Sequence, residues 1–286
     1  MNKDSVLTLA QKEFSDKLYE PSFIVLLVIF TGTVLIYLQN RGGGDNFGEV
    51  VQVIAVFFPL IGIALGYDGI IKEKNNKSLN VLLTNPVFRD NIITSKFLGI
   101  SMTLALVVFL SLIIIAASDF LISGKIAELD SLLRLLIFGI FTFLYLLTFA
   151  AFGLFSSVWC KTEIESLTFG VLVWINMCFA FGPTIIMLAS IVSGQTLFDM
   201  TENFASTASL FQNISPLHHF AEITIGAQDL SYYGGFGIQK DVHGFLDTHY
   251  SLPYLLRYYW QNIIILLILP LLFLAASYIS FLRDDI

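Results

Sequence analysis

Residues 70–99, IIKEKNNKSLNVLLTNPVFRDNIITSKFLG, decide the fold of this chain. They form a charged segment, broken by a proline, between two long apolar runs. The segment also carries many of the Lys and Arg residues that lie close to an apolar run. Because positively charged connections of membrane proteins are retained in the cytoplasm, it predicts a membrane protein with a structured cytoplasmic coupling segment at residues 70–97. Another protein can act on such a segment.

The composition places the whole chain in the membrane class. Hydrophobic residues make up 56% of the 286 residues and charged residues only 13%, whereas soluble domains carry about 25% charged residues. The apolar runs extend along the entire sequence, so we predict a single integral membrane domain over residues 1–286. A formal net charge of -7 argues against a nucleic-acid partner, which would require a basic surface.

The long apolar runs predict helices that cross the lipid bilayer. A bilayer core of about 30 Å needs roughly 20 helical residues, and a helix satisfies its own backbone hydrogen bonds there. We therefore predict an all-α integral membrane fold with six transmembrane helices. The predicted spans are residues 23–38, 50–67, 97–117, 132–155, 167–192 and 263–281. Most of the 15 Lys and Arg residues lie on one side of these spans, which places both termini in the cytoplasm.

Residues 1–22 precede the first span and show one apolar stripe with helical spacing. The stripe consists of Leu7, Ala10, Phe14 and Leu18, and the opposite side carries Lys12, Glu13, Asp16 and Lys17. This pattern predicts an amphipathic helix in the cytoplasmic interface of the membrane. Glu13 and Lys17 are spaced for an i,i+4 ion pair. Anchoring of the chain and binding of a partner both fit the pattern.

A short helix is predicted between the second and third spans. Ser78 can cap its first turn, and Asn85-Pro86 ends it. Its apolar face consists of Leu79, Leu82 and Leu83. A second helix begins near Asp90 and continues into the third span. The apolar face needs burial, and its spacing fits both a partner protein and the ends of this chain's own helices.

The coupling segment, with the preceding FFPLIGIALGYDGII, resembles the ABC-2 type permeases. The resemblance is to the group related to NosY, the membrane subunit of the nitrous oxide reductase maturation transporter. The matching positions are Glu73, Lys74, Ser78, Leu79, Leu82, Leu83, Pro86, Val87, Arg89 and Lys96-Phe97-Leu98-Gly99. The family has a glycine where this chain has Lys77, so we expect the turn into the short helix to differ here. The six-span layout and the KEF sequence at residues 12–14 match as well.

The resemblance implies that the short helix docks on a separate ATPase subunit. The implied docking residues are Glu73, Ser78, Leu79, Leu82, Leu83, Pro86 and Arg89. The chain itself has no G-x-x-x-x-G-K-[ST] sequence, so we predict a non-catalytic subunit without a cofactor, whose partner binds ATP and Mg. The implied assembly is a homodimer of permeases with two copies of the ATPase. It lies in the cytoplasmic membrane of a prokaryotic cell and acts as an exporter.

Two functions other than export also fit the sequence. A mechanotransmitting permease would act on an accessory protein at the outer side, as in copper or sulfur enzyme maturation, without passing a substrate. An intramembrane enzyme is a more distant alternative. The ionisable residues near the spans, Asp68, Arg134, Glu163 and Glu165, lie at span ends. Because a charge at the bilayer centre costs about 2.5–3.5 kcal/mol and usually marks function, this placement disfavours the enzyme.

Residues 193–262 are predicted to form a helical segment on the outer face, between the fifth and sixth spans. Within it, residues 216–230 show an amphipathic helical pattern. The apolar side consists of Leu217, Phe220, Ala221 and Ile225. All four histidines of the chain lie in this segment, and His218 and His219 are weak candidates for binding copper or zinc. Because they lack the spacing of metal ligands, we predict solvated histidines and no metal site.

Two glycines of the second span, Gly62 and Gly66, form a small-xxx-small pair. Such pairs allow two helices to approach closely in a membrane. We predict that this pair packs within one subunit.

Overall fold

The computed structural model describes residues 3–20, 28, 47–75, 89–124, 128–195, 201–226 and 244–283. In these ranges all regular elements are helical, which confirms the predicted all-α class for the described part of the chain. The helices are α1 (Lys3–Tyr19), α2 (Phe47–Gly66), α3 (Ile71–Asn75), α4 (Arg89–Ser123), α5 (Leu129–Trp159), α6 (Glu163–Ile175), α7 (Phe181–Ser193), α8 (Glu202–Gln212), α9 (Pro216–Ile225), α10 (Leu252–Tyr258) and α11 (Trp260–Arg283). A π-helical turn, Asn176–Ala180, joins α6 to α7.

Five helical stretches within the described ranges are long and apolar enough to cross a bilayer. They are Val51–Asn75, Asp90–Ala117, Leu129–Trp159, Glu163–Ser193 and Trp260–Arg283. These stretches correspond to the predicted second to sixth spans and fit a multi-pass membrane protein. The predicted first span, residues 23–38, lies outside the described residues. Helix α4 begins at Arg89, in agreement with the helix start predicted near Asp90.

Helix α5 is the centre of the bundle. It makes its most extensive contacts with α2 and α11, and it also contacts α4, α6 and α9. Aromatic rings fill the space around it: Tyr145 stacks on Phe220 of α9 with 4.6 Å between the ring centroids. Phe141 meets Phe245 edge to face at 5.2 Å. In a membrane such van der Waals packing, rather than transfer from water, holds helices together.

Gly62 and Gly66 bring α2 against the backbone of α5. A Cβ on Gly62 would lie 2.7 Å from the carbonyl oxygen of Leu146, and one on Gly66 would lie 2.5 Å from that of Ala150. Any larger residue would force the two helices apart. The prediction that this glycine pair packs within one subunit is therefore confirmed.

Pro59 leaves a carbonyl group of α2 to be satisfied by a neighbouring helix. Proline has no N–H, so the carbonyl of Ala55 loses its usual helical donor. The Tyr145 hydroxyl donates to that oxygen at 2.6 Å. Beside it, the indole N–H of Trp174 donates to the carbonyl of Val56, also at 2.6 Å. Because no water is present in a bilayer core to replace them, these bonds fix α5 and α6 against α2.

The end of the bundle opposite α3, called the far end here, is closed by α9 and residues 244–250. Ser215 caps α9 by accepting a hydrogen bond from the His218 N–H at 3.4 Å, and Gly226 ends it with a φ of 69°. The helix is thus shorter than the predicted residues 216–230. It is also buried on nearly all sides instead of amphipathic, since it packs on α5 and α11.

Arg134 ties residues 244–250 to α5. Its buried guanidinium donates to the carbonyl oxygens of Phe245 at 3.2 Å, Asp247 at 2.7 Å and Tyr250 at 2.7 Å. It also donates to the Asp130 carboxylate at 2.6 Å. The fork of five N–H donors on an arginine suits such a convergence of oxygens. The far end is therefore bound directly to the central helix.

Candidate functional site: a charged junction between three helices

A group of ionisable side chains meets where α1, the turn between α2 and α3, and the start of α4 converge. Its members are Glu13, Lys17, Glu20, Asp68, Lys72, Glu73 and Lys96. We call this set the charged junction. It lies on both sides of residues 76–88 in the sequence, and it consists of two groups of ion pairs.

Lys96 of α4 is the centre of the first group. Its Nζ lies 2.8 Å from Glu13 Oε1 of α1 and 2.8 Å from Glu73 Oε1 of α3. The Lys96 side chain is only 6% exposed. A buried ammonium group has lost its water, so the two carboxylates supply the hydrogen bonds that keep it charged. One lysine thereby joins three helices.

Gly99 sets the distance at which this contact forms. It follows Lys96 by three residues, so both lie on the face of α4 that meets α1. A Cβ on Gly99 would lie 2.6 Å from the Cβ of Glu13 and 3.1 Å from the carbonyl oxygen of Ala10. The glycine thus lets the α1 backbone come close enough for Glu13 to reach Lys96.

Lys17 and Asp68 form the centre of the second group. Lys17 Nζ lies 3.1 Å from Asp68 Oδ1, and both residues are buried. Glu20 lies 3.6 Å from Lys17, and the more exposed Lys72 lies 3.5 Å from Glu20. Exposed pairs contribute little to stability, but loss of one partner from a buried pair costs about 3–5 kcal/mol. The Lys17–Asp68 pair therefore fastens α1 to the end of α2.

Serine side chains fix the turn that leads into α3. The Ser157 hydroxyl oxygen of α5 accepts the backbone N–H groups of Ile70 at 2.7 Å and Ile71 at 3.1 Å. The Ser166 hydroxyl of α6 donates to the carbonyl of Tyr67 at 2.8 Å. One end of the 76–88 segment is therefore held by α5 and α6, and the other continues into α4.

The charged junction connects α1 and the start of α4 with the turn that follows α2. Helix α2 packs on α5, and α4 packs on both α1 and α5, while direct contacts between α2 and α4 are few. The ion pairs of Lys17 and Lys96 thus link the described segments that flank residues 76–88.

Two of the predicted docking residues lie within the described ranges. Glu73 belongs to the charged junction through Lys96, and Arg89 is the first residue of α4. The other predicted docking residues, Ser78, Leu79, Leu82, Leu83 and Pro86, lie outside the described residues. The docking assignment stays a prediction.

Helix α1 turns inward a face that overlaps the predicted apolar stripe but is rotated away from Leu7. Val6, Ala10 and Lys17 are buried, whereas Leu7 of the predicted apolar stripe is 56% exposed. Glu13 and Lys17, expected on the polar side as a pair, bind Lys96 and Asp68 instead. The inward face thus combines part of the apolar stripe with the ion-paired Glu13 and Lys17.

The prediction of solvated histidines is wrong for His218 and His219, which are buried in α9. His219 Nε2 lies 2.7 Å from the carbonyl oxygen of Asn213, and His218 Nε2 lies 3.6 Å from Glu222 Oε1. Burial lowers the pKa of His219 and raises the pKa of Glu222, so it favours the neutral form of each. Within the described ranges, no cluster of three or more His, Cys, Asp or Glu side chains is arranged to hold a metal ion.

Comparison with known proteins decides the family. Residues 39–286 match the model of the ABC-2 family transporter proteins. The chain belongs to this family. The predicted family is thereby confirmed, and the charged junction is a feature of an ABC-2 permease.

Two curated relatives of this ABC-2 chain are both named as the ABC transporter permease protein NosY. The one from Pseudomonas aeruginosa is 28% identical over 146 residues, which cover 48% of this chain and 52% of the relative. The one from Stutzerimonas stutzeri is 30% identical over 117 residues, or 37% of this chain and 42% of the relative. The chain thus spans about half the length of the relatives it matches.

Proposed function

We propose that this chain is the membrane-spanning, non-catalytic subunit of an ATP-binding cassette exporter, driven by a separate ATPase subunit that docks on residues 76–88. Membership of the ABC-2 family supports the permease role. The lack of a G-x-x-x-x-G-K-[ST] sequence supports an ATPase on another chain. The observation that carries the proposal is the charged junction, because it holds the structure on both sides of the proposed docking segment.

The proposed assembly contains two copies of this chain and two ATPase subunits, which bind ATP and Mg. The junction carries Lys17, Lys72 and Lys96, and this concentration of positive charge supports a cytoplasmic position for it. Both termini are then cytoplasmic. The exposed apolar faces of α4, α7 and α11 fit contact with lipid and with a second permease.

Force from the ATPase would reach the membrane helices through both ends of residues 76–88. When the ATPase subunits close on ATP, they displace the short helix that carries Leu79, Leu82 and Leu83. At its first end, the bonds of Ser157 hold α3 to α5. At its second end, Lys96 transmits the displacement to α1 and α4. The α1–α4 pair then moves relative to α2 and α5. This movement opens a path for the substrate toward the far end.

Replacing Leu82 and Leu83 with Asp is expected to reduce permease-stimulated ATPase activity by at least about tenfold. A carboxylate forced into an apolar docking groove costs several kcal/mol, and each 1.4 kcal/mol is about a factor of ten. The activity is measured on the co-purified complex in lipid vesicles.

A matched control places the same two charges away from the predicted apolar face. The Asn80→Asp/Thr84→Asp variant should retain most of the stimulation, since helical spacing puts both positions outside the face formed by Leu79, Leu82 and Leu83. An L82D/L83D complex that assembles normally and is fully active would show that the docking assignment is wrong.

A mechanotransmitting permease is the second candidate function, and one observation favours it. Arg134 and α9 bind the far end directly to α5. A motion of α5 is therefore passed to the outer face, where it could act on an accessory protein without passage of a substrate through the bundle.

A further inference from the structure

An exposed row of aromatic side chains lies on α10 and the first residue of α11. Tyr254, Tyr258 and Trp260 are 53%, 62% and 53% exposed, while Leu255 and Tyr259 are buried. The rings of Tyr250, Tyr254 and Tyr258 stack along the helix with centroids 5.6 Å and 6.1 Å apart. Proteins rarely leave a contiguous surface of this kind without a partner.

This row is at the far end of the bundle, away from the charged junction. The opposite end of α11 is near the start of α4, because Phe281 packs against Ile92 and Ile93 and the Tyr278 hydroxyl hydrogen-bonds Thr94. Helix α11 has 24 residues, which span about 36 Å at 1.5 Å each. Since a bilayer core is about 30 Å thick, a helix with its last turn at one interface has Trp260 at the other.

The row is continuous with the lipid-facing side of α11. Exposed apolar side chains follow Trp260 along this helix, namely Ile264, Leu267, Ile268, Leu271 and Leu272. Residues 250–283 contain no Asp or Glu, and Arg257 is exposed among the tyrosines. Tyr and Trp favour the boundary of a membrane, because each has an apolar ring and a polar group, and Arg can extend toward lipid phosphates.

We propose that α10 and Trp260 lie in the headgroup region of the far leaflet and anchor that end of α11 to lipid. Lipid is the occupant that fits, because the surface runs without interruption into the stripe of α11 that faces the acyl chains. The carbonyl of Tyr250 is bound by Arg134, so the anchor is also joined to α5. The anchor thereby fixes the depth of residues 244–250, which close the far end, while the α1–α4 pair moves.

Depth-dependent fluorescence quenching of Trp260 tests this assignment. The full chain with Trp159→Phe and Trp174→Phe keeps Trp260 as its remaining tryptophan. It is reconstituted in phosphatidylcholine vesicles whose acyl chains are brominated either close to the headgroup or close to the terminal methyl. We expect the shallow bromines to quench Trp260 at least about twice as strongly as the deep ones, as for an interfacial tryptophan.

Because Trp174→Phe removes the hydrogen bond from Trp174 to the Val56 carbonyl, a second variant that keeps Trp174 serves as a control. Subtracting the signal of a Trp260→Phe chain from that of the unmodified chain isolates Trp260 without touching α6, and the same ratio is expected. Equal or stronger quenching by the deep bromines would overturn the interfacial position. Quenching by aqueous iodide with none from either lipid would also overturn it, and would point to an external protein on this surface.

Discussion

Replacing Lys96 with Glu is expected to lower ATP-driven transport and permease-stimulated ATPase activity by at least about tenfold. The new carboxylate would lie beside Glu13 and Glu73, each of which now has an oxygen 2.8 Å from the Lys96 ammonium. Breaking a buried ion pair costs about 3–5 kcal/mol, and like charges add to that cost. We expect α1 and α3 to separate from α4, so that docking no longer moves the membrane helices. Both activities are measured in proteoliposomes.

The charge-exchange variant separates loss of the ion pair from general misfolding. Combining Lys96→Glu with Glu73→Lys restores one ion pair with its charges exchanged but leaves Glu13 beside the new carboxylate, so it should recover part of the activity. Lys12→Glu makes the same charge reversal on the exposed side of α1 and should have little effect. If Lys96→Glu is as active as the unmodified chain, the junction does not carry the force. If the exchange recovers nothing in a folded complex, the ion pair is not the reason for the loss.

Replacing Gly99 with Val is expected to destabilise the chain and to weaken coupling together. The Cβ of the new residue would lie 2.6 Å from the Cβ of Glu13, so α1 must move away from α4. Overpacking of this kind costs about 1–3 kcal/mol, and we expect the Tm of the purified chain to fall by at least about 3 °C. The same movement lengthens the Lys96–Glu13 contact, so transport should fall as well.

Two further variants serve as controls for the size and the position of the Gly99 substitution. Gly99→Ala adds only the Cβ and should give a smaller effect than Val. Met102→Val changes an exposed position on the same helix and should leave both Tm and transport near the unmodified values. A Gly99→Val chain with unchanged Tm and unchanged transport would contradict the close α1–α4 contact.

The class of the fold was predictable because it depends on local properties of the sequence. A run of apolar residues predicts its own span, and five of the predicted spans are found in the described residues. The start of α4 near Asp90 also followed from a local signal, the proline that precedes it. The family was recognisable from residues 70–99 for the same reason.

The charged junction was not predictable, because its contacts join distant parts of the chain. Glu13 and Lys96 are 83 residues apart in sequence, and Lys17 and Asp68 are 51 apart. Helical spacing alone pairs Glu13 with Lys17 and turns both toward solvent. Only the packing of α1 on α4, which Gly99 permits, shows that these side chains face inward.

At the far end, the last residue of α9 was predictable from a local signal, but the burial of its histidines was not. Gly226 directly follows Ile225, and a glycine in this position commonly ends a helix, so the true end of α9 was readable. The burial of His218 and His219 was not readable. It results from the packing of α9 on α5, where Phe220 stacks on Tyr145.

Photo-cross-linking from residue 80 tests most directly whether a separate ATPase drives this chain through residues 76–88. A benzophenone amino acid in place of Asn80 puts the reactive group next to Leu79, at the border of the predicted apolar face, and leaves the three leucines in place in living cells. The account predicts an adduct with a protein that contains a G-x-x-x-x-G-K-[ST] loop, and loss of this adduct in the L82D/L83D background. An adduct with an extracytoplasmic protein, or no ATPase adduct from a folded chain, would contradict it.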